Sequence, residues 1–260
     1  MWEARLTPNP IAKVLSTLST HGVQHLLMGG QACVFYGAAE FSRDCDIVLL
    51  ARDDNYARLN SALDALDAEC IAVPPFNPSY LDRGHAVHFR CHLPDADRMR
   101  LDVMTKMRGV DDFNALWLRR TTLEDAHGMI YELLGIHDLV KAKKTQRDKD
   151  WPMIRRLVES HYATYRGSPN SEQVDFWLLE SRTPSILIEI VAEFPDNAKQ
   201  LITKRPLIDE AFAASHRALE SALAVEEQAE RTADRLYWAS LKNELEKLRF
   251  QKRSDSKASD

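Results

Sequence analysis

Residues 26–50, LLMGGQACVFYGAAEFSRDCDIVLL, constrain the fold more than any other stretch. An apolar segment, Val23–Met28, stops at Gly29-Gly30, and Asp44-Cys45-Asp46 then opens a second apolar run to Leu50. The two runs read as strands, and the glycines turn the chain into a short helix over Gln31–Tyr36 that Gly37 ends. Side chains alternate across a strand, so Asp44 and Asp46 share one face while Cys45 and Ile47 take the other. Two carboxylates this close repel unless a cation sits between them. Hard oxygen ligands of this kind suit Mg²⁺, which takes one or two carboxylates and fills its shell with water and substrate phosphates. Paired glycines before a helix let backbone N–H groups approach an anion. One strand–turn–helix–strand unit thus pairs metal-binding carboxylates with a phosphate cradle, a combination that points to nucleoside-triphosphate chemistry.

A phosphoryl-transfer site with two metals needs a third carboxylate. The segment His85–Leu93 alternates, with Val87, Phe89, Cys91 and Leu93 on one face and His88, Arg90 and His92 on the other. A turn over Pro94–Asp97 leads to a paired strand, Arg98–Lys106, in which Asp102 interrupts apolar residues and shares its face with Arg100 and Met104. If this strand lies beside Asp44–Leu50, Asp102 completes a triad. Taken singly, Asp44 reads equally as a strand cap, Asp46 as an ion-pair partner of Arg43 or Arg90, Gly29-Gly30 as a tight turn and Asp102 as a sheet-edge charge.

The order strand, Gly-Gly, short helix, Arg-Asp-x-Asp strand, helix, hairpin with a lone Asp resembles the polymerase-beta-type nucleotidyltransferase superfamily. Within it, the minimal bacterial branch with abortive-infection and toxin–antitoxin nucleotidyltransferases is nearest. Asp138-Leu139-Val140-Lys141-Ala142-Lys143 and Arg147-Asp148-Lys149-Asp150 are similar to that branch's helical DL…K…R…KD segment. The resemblance spans about residues 5–160. It implies an α/β (α+β) fold, in which a small mixed β-sheet core with flanking helices precedes a helical C-terminal region. It also implies two Mg²⁺ ions on Asp44, Asp46 and Asp102 as the catalytic and metal-binding set. Gly29, Gly30, Arg43, Lys143 and Lys144 would meet the NTP, with Asp150 bracing the lysine helix. Two departures stand out. Many relatives carry Gly-Ser where this chain has Gly29-Gly30, and Cys45 occupies a position that is usually aliphatic. Neither removes a metal ligand.

The expected organisation is a nucleotidyltransferase-like core over 1–125, a helical region over 126–250 and a disordered polar tail over 251–260. Asp53 or Asp54 caps a helix with Tyr56, Leu59, Leu63 and Leu66 inside. Residues 74–84, with three prolines, read as a surface loop. From about Leu116 the pattern is mostly helical, with a short strand over Ile130–Leu134 and helices over Ile136–Lys144 and Asp150–His161. Residues 166–172 form a loop. Helices follow around 173–181 and 184–194, and a long one from about 207 to 249 packs on its own chain.

A net charge of −5 with 45% hydrophobic residues speaks against a nucleic-acid coat protein or a membrane-surface protein. Residues 141–156 nonetheless hold seven Lys or Arg against two Asp, which reads either as a solvated helix face or as a landing site for triphosphate or RNA. The N-terminus lacks a signal peptide's apolar core, no run approaches the roughly 20 residues that span a bilayer, and Cys33, Cys45, Cys70 and Cys91 form no CxxC pair. A cytoplasmic protein with free thiols and no membrane partner is expected. His85, His88 and His92 cannot all point one way from a single strand, so zinc is not expected.

The leading expectation is a Mg²⁺-dependent nucleotidyltransferase. Its acceptor is an RNA, a protein or a small molecule, with RNA or protein favoured by the toxin-like branch, whose resemblance also implies an antitoxin-like partner. The alternative is a nucleotide-binding module that acts with a partner protein without turnover. A third reading is a helical nucleic-acid binder using residues 141–156.

Overall fold

The structure is a computed structural model that describes residues 10–126 and 128–258. Residues 1–9, on which the leader reading rests, lie outside the described residues. The strands are β1 (His25–Met28), β2 (Asp44–Leu49), β3 (Ala68–Cys70), β4 (Val87–Cys91), β5 (Arg100–Met104), β6 (Thr121–Glu124) and β7 (Ile130–Leu133). They form one mixed sheet in the order β3-β4-β5-β2-β1-β7-β6. The helices are α1 (Pro10–Thr20), α2 (Gly29–Phe35), α3 (Asp53–Ala65), α4 (Pro78–Arg83), α5 (Phe113–Leu118), α6 (Ile136–Ala142), α7 (Asp150–Tyr165), α8 (Ser171–Glu180), α9 (Pro184–Glu193), α10 (Pro195–Leu201), α11 (Leu207–Phe212) and α12 (His216–Ala258). The fold is mixed α/β, with a helical region after the sheet.

The chain divides into two compact units. A sheet unit takes the residues up to 32, 41–138 and those from 239 on; a helical unit takes 33–40 and 139–238. The expected boundary near residue 125 falls between β6 and β7, which pair antiparallel through Thr121↔Leu133 and Leu123↔Tyr131 and therefore stay in one sheet.

Within the sheet unit, β2 is central. It runs antiparallel to β1 and parallel to β5, with Leu27↔Ile47 and Cys45↔Leu101 in register. Cys45, Ile47, Leu101 and Val103 are fully buried, while Asp44, Asp46, Arg100 and Asp102 between them are half-buried. A slip of one residue would drive the carboxylates into the core and the aliphatics out of it. Each buried aliphatic side chain contributes about 1.5–3 kcal/mol, so the apolar face fixes the register of the polar one. The amphipathic α1, with Ile11, Val14, Leu15 and Leu18 buried, packs against α3 and β2.

Several elements differ from expectation. Residues 74–84 contain α4, because Asn77 accepts from the Ser79 N–H at 2.9 Å, Pro78 suits a first helical position, and Gly84 ends the helix at φ 101°. Arg52, not Asp53 or Asp54, holds the cap position of α3 and makes no side-chain cap bond. Strands β3 and β6 are short and polar, so no apolar alternation marks them. The long C-terminal helix is two helices, broken at residues 213–215, where Ala214 takes φ 51°. Phe212 and Tyr237, two apolar positions of the expected helix, are exposed rather than packed. α12 also continues through Ala258, so the segment expected to be disordered is helical up to that residue. Gln251, Lys252 and Arg253 are exposed and favour helix there. Among the described residues no helix is long and apolar enough to cross a membrane, and all four cysteines are free thiols.

Candidate active site

The site begins where β1 ends. Met28 stands opposite Asp46 in the antiparallel ladder, and Gly29 then turns the chain at φ 67° into α2. An L side chain is strained there, and a Cβ at Gly29 would also overlap the Asp46 carboxylate. A Cβ at Gly30 would come within 2.7 Å of the Ser42 Oγ. The glycines thus have a local reason that the sequence did not disclose: they admit Asp46 and Ser42. Ser42 in turn donates to the Asp44 carbonyl at 3.0 Å, bracing the entry to β2.

Parallel pairing of β2 with β5 sets Asp46 opposite Asp102 and Asp44 opposite Arg100. Antiparallel pairing of β5 with β4 sets Asp102 opposite His88 and Arg100 opposite Arg90. Two rows therefore cross three neighbouring strands: Asp46, Asp102, His88 and, beside it, Asp44, Arg100, Arg90. Like charges directly opposed on adjacent strands destabilise a sheet. At a separation of about 5 Å and an effective dielectric near 20, the gross repulsion is about 3 kcal/mol.

Arg100 relieves part of it. Its Nε donates to Asp102 Oδ1 at 2.7 Å and its Nη2 lies 3.1 Å from His88 Nδ1, which is itself 2.9 Å from Asp102 Oδ1. With a proton on Nδ1, His88 donates to Asp102; without it, His88 accepts from Arg100. Burial pulls the Arg100 pKa down, but the hydrogen bond to Asp102 and the charges of Asp102, Asp44 and Asp46 outweigh it and raise the pKa. All three carboxylates thus act on one cation, the Arg100 guanidinium. On the opposite face of β2, burial pushes the Cys45 thiol well above its usual pKa, aided by the charges of Asp46, Cys91 and Asp102. A buried thiol held neutral is not a nucleophile.

The other expected NTP contacts are Arg43, Lys143 and Lys144. Arg43 is exposed at the entry to β2 and has no ion-pair partner among the described residues. Lys143 and Lys144 belong to the helical unit. The Lys143 amine is buried and lies 3.2 Å from Asp150 Oδ1. Asp150 Oδ2 accepts from Thr145 Oγ1 at 2.6 Å and from Arg147 Nε at 2.7 Å. Burial alone would raise the Asp150 pKa, but Lys143, Arg147 and the Thr145 hydrogen bond outweigh it and hold the carboxyl below its usual range. Lys144 pairs with Glu180 at 2.7 Å. The basic run at 141–156 is therefore partly neutralised, by Asp150 from within and by Glu180 of α8.

The histidines separate. His88 belongs to the carboxylate face, His92 pairs with Glu69 at 3.2 Å, and His85 is buried 2.8 Å from Glu244 on α12. The Glu244 contact, 159 residues away in sequence, had no local signal. Among the described residues, no three acidic, His or Cys side chains are gathered tightly enough to hold an ion as they stand. The chemistry of the donor set still fits a hard divalent cation: Asp44, Asp46 and Asp102 offer only carboxylate oxygens from one face, and their charges already converge on a single cation.

No family model and no curated protein matches the chain. Two solved structures align with most of it. One is a candidate nucleotidyltransferase from H. pylori, at 14% identity and a TM-score of 0.42, covering 88% of this chain and 97% of that one. The other is an antigenic nucleotidyltransferase-like protein from Paracoccidioides brasiliensis, at 16% identity and a TM-score of 0.40, covering 79% of this chain and 91% of that one.

Proposed function

We propose that the polar face of β2 and β5 transfers a nucleoside monophosphate from an NTP to an acceptor hydroxyl. The observation that carries this reading is the register that sets Asp46 directly opposite Asp102, with Asp44 two residues along on the same face. A fold avoids opposed carboxylates unless something else uses them.

Asp44, Asp46 and Asp102 would hold Mg²⁺, which when bound supplies charge neutralisation to the triphosphate and the leaving pyrophosphate. The acceptor oxygen bonds to the α-phosphorus as the bond from that phosphorus to the bridging β-oxygen breaks, and pyrophosphate leaves with the bonding electrons. Asp102 takes the hydroxyl proton. His88 and Arg100, both on its Oδ1, fix the orientation of the carboxylate. Gly29 and Gly30 would let the backbone approach a phosphate as closely as it approaches Asp46 and Ser42. Exposed Arg43 is available to the triphosphate, whereas Lys143 and Lys144 would first have to leave Asp150 and Glu180. An RNA or protein acceptor, and a partner that blocks the site in the manner of an antitoxin, extend the same reading.

One observation favours the alternative of a nucleotide-binding module without turnover. The Arg100 guanidinium already serves the three carboxylates as their cation, and a metal would have to compete with it. One experiment separates the two readings. The protein is incubated with Mg²⁺, total RNA and each α-labelled NTP in turn, beside Asp44→Ala/Asp46→Ala. Label in RNA or in protein, lost in the double variant, supports transfer and names the acceptor class. Saturable Mg²⁺-dependent NTP binding without pyrophosphate release supports the binding module instead.

A further inference from the structure

A pocket of about 300 Å³ lies in the sheet unit, walled by Leu15 of α1, His25 and Leu27 of β1, Trp117 of α5, and Ile130 and Tyr131 of β7. It is not part of the carboxylate face. Residues opposed across a ladder share a face, so Asp46 goes with Met28, and the alternation of β1 places His25 and Leu27 on the other side.

The chemistry of the pocket is specific in three respects. First, its tautomer is settled by geometry. His25 Nδ1 lies 2.9 Å from the Val23 carbonyl oxygen, which can only accept, so Nδ1 carries the proton. Nε2 is left as an acceptor, and no group among the described residues donates to it. Burial lowers the His25 pKa, and the Val23 bond and the Glu132 charge offset this only in part, so the ring stays neutral. Second, the pocket holds no unspent charge. Its one carboxylate, Glu132, accepts from Arg120 Nε at 2.7 Å and from Thr122 Oγ1 at 2.5 Å. Third, Trp117 is a fixed wall. Phe113 stacks on it at 5.6 Å between centroids, and the Arg120 guanidinium lies 4.1 Å from its ring centre. The rest of the lining combines apolar side chains with Ser19 and Gln24, which bring no charge, and the volume is at the small end of ligand sites.

We propose that this pocket binds a small, flat, uncharged molecule of one or two rings that carries one N–H or O–H donor, which His25 Nε2 accepts. The donor distinguishes it from a merely apolar cavity, where a methylated twin would serve equally well. A charged ligand would find no unpaired side chain of opposite charge in this lining.

The test uses indole and 1-methylindole, the same ring body with and without the donor, titrated into the full chain and followed by amide and indole NMR shifts. Saturable shifts at Leu27, Trp117 and Tyr131 are expected, with indole about fivefold tighter than 1-methylindole, as one neutral hydrogen bond provides. His25→Phe should bring the two to parity. The wild-type comparison stands by itself if that variant fails to fold. No saturable shifts up to the solubility of the probes, equal affinities in the wild type, or a preference for indole that survives in folded His25→Phe would each overturn the proposal.

Discussion

Two regions of this chain gather opposite charges, and they do so in opposite ways. In the helical unit, Glu226 of α12 accepts from Arg205 Nε at 2.9 Å, Arg205 Nη2 at 2.8 Å and Arg182 Nη1 at 2.8 Å. Further guanidinium donors go to backbone: Arg205 to the carbonyls of Leu178 and Ser181, Arg182 to that of Leu223. The Arg205 and Arg182 side chains are only 4% and 7% exposed. On the sheet, three half-buried carboxylates share one closely bonded arginine, and two of them face each other across adjacent strands. The first arrangement is enclosed, with Glu227 Oε2 4.0 Å from Arg182 Nη2 as a second carboxylate, and it holds helices together. The second is open and carries excess negative charge, which supports its proposed use by a group outside the fold.

The comparison breaks first at Glu226. Glu226→Ala would leave two buried guanidiniums without their carboxylate, a loss at the lower end of the range for a broken buried pair, about 3 kcal/mol, because Glu226 itself keeps 30% exposure. Urea unfolding measures it, and a loss under about 1 kcal/mol would mean that the network is not structural. The same residue predicts a pH dependence. Burial would raise the Glu226 pKa, but the hydrogen bonds and charge of Arg205 and the charge of Arg182 outweigh it and lower the pKa. A carboxyl depressed in the folded state contributes stability that is present above its unfolded pKa of about 4.3 and is lost as pH falls through the folded value. Stability of the wild type should therefore fall below about pH 4.3 more steeply than that of Glu226→Gln.

The mirror experiment is Asp46→Asn. Nucleotidyl transfer should fall about a hundredfold, equivalent to about 2.7 kcal/mol at the transition state. Stability should hold or rise, since a repulsion opposite Asp102 has gone. A variant that loses stability and keeps its activity would place Asp46 with Glu226, as a structural charge.

The two regions also differ in how legible they were. The carboxylate face could be read because it obeys a local period: alternation in β2, β4 and β5 separates Cys45, Phe89 and Leu101 from Asp46, His88 and Asp102, and the adjacency of β2 and β5 then brings Asp46 to Asp102. The helical network could not be read. Arg182 and Arg205 reach Glu226 across 44 and 21 residues, and no period links such positions. His85 with Glu244 failed for the same reason, and α4 was hidden because its prolines look like loop residues until Pro78 is seen to start a helix. Lys143 was named by resemblance alone, and its amine lies 3.2 Å from Asp150, the residue expected to brace that helix.

Gly29 joins the two kinds of reading, because it is legible as a turn and illegible as a neighbour of Asp46. Its φ of 67° and the Gly109 φ of 77° carry the same backbone penalty for an L side chain, about 1–2 kcal/mol. They differ in surroundings: a Cβ at Gly109 would meet nothing within 4 Å, whereas one at Gly29 would run into the Asp46 carboxylate. Gly29→Ala should thus cost about 2 kcal/mol or more and depress transfer by displacing Asp46. Gly109→Ala should cost about 1 kcal/mol and leave transfer untouched. Thermal unfolding and NTP labelling of the two variants side by side read both quantities. Equal stability losses with labelling unchanged in both would mean that Gly29 is needed only for its backbone angle, and that the close approach to Asp46 contributes nothing to the site.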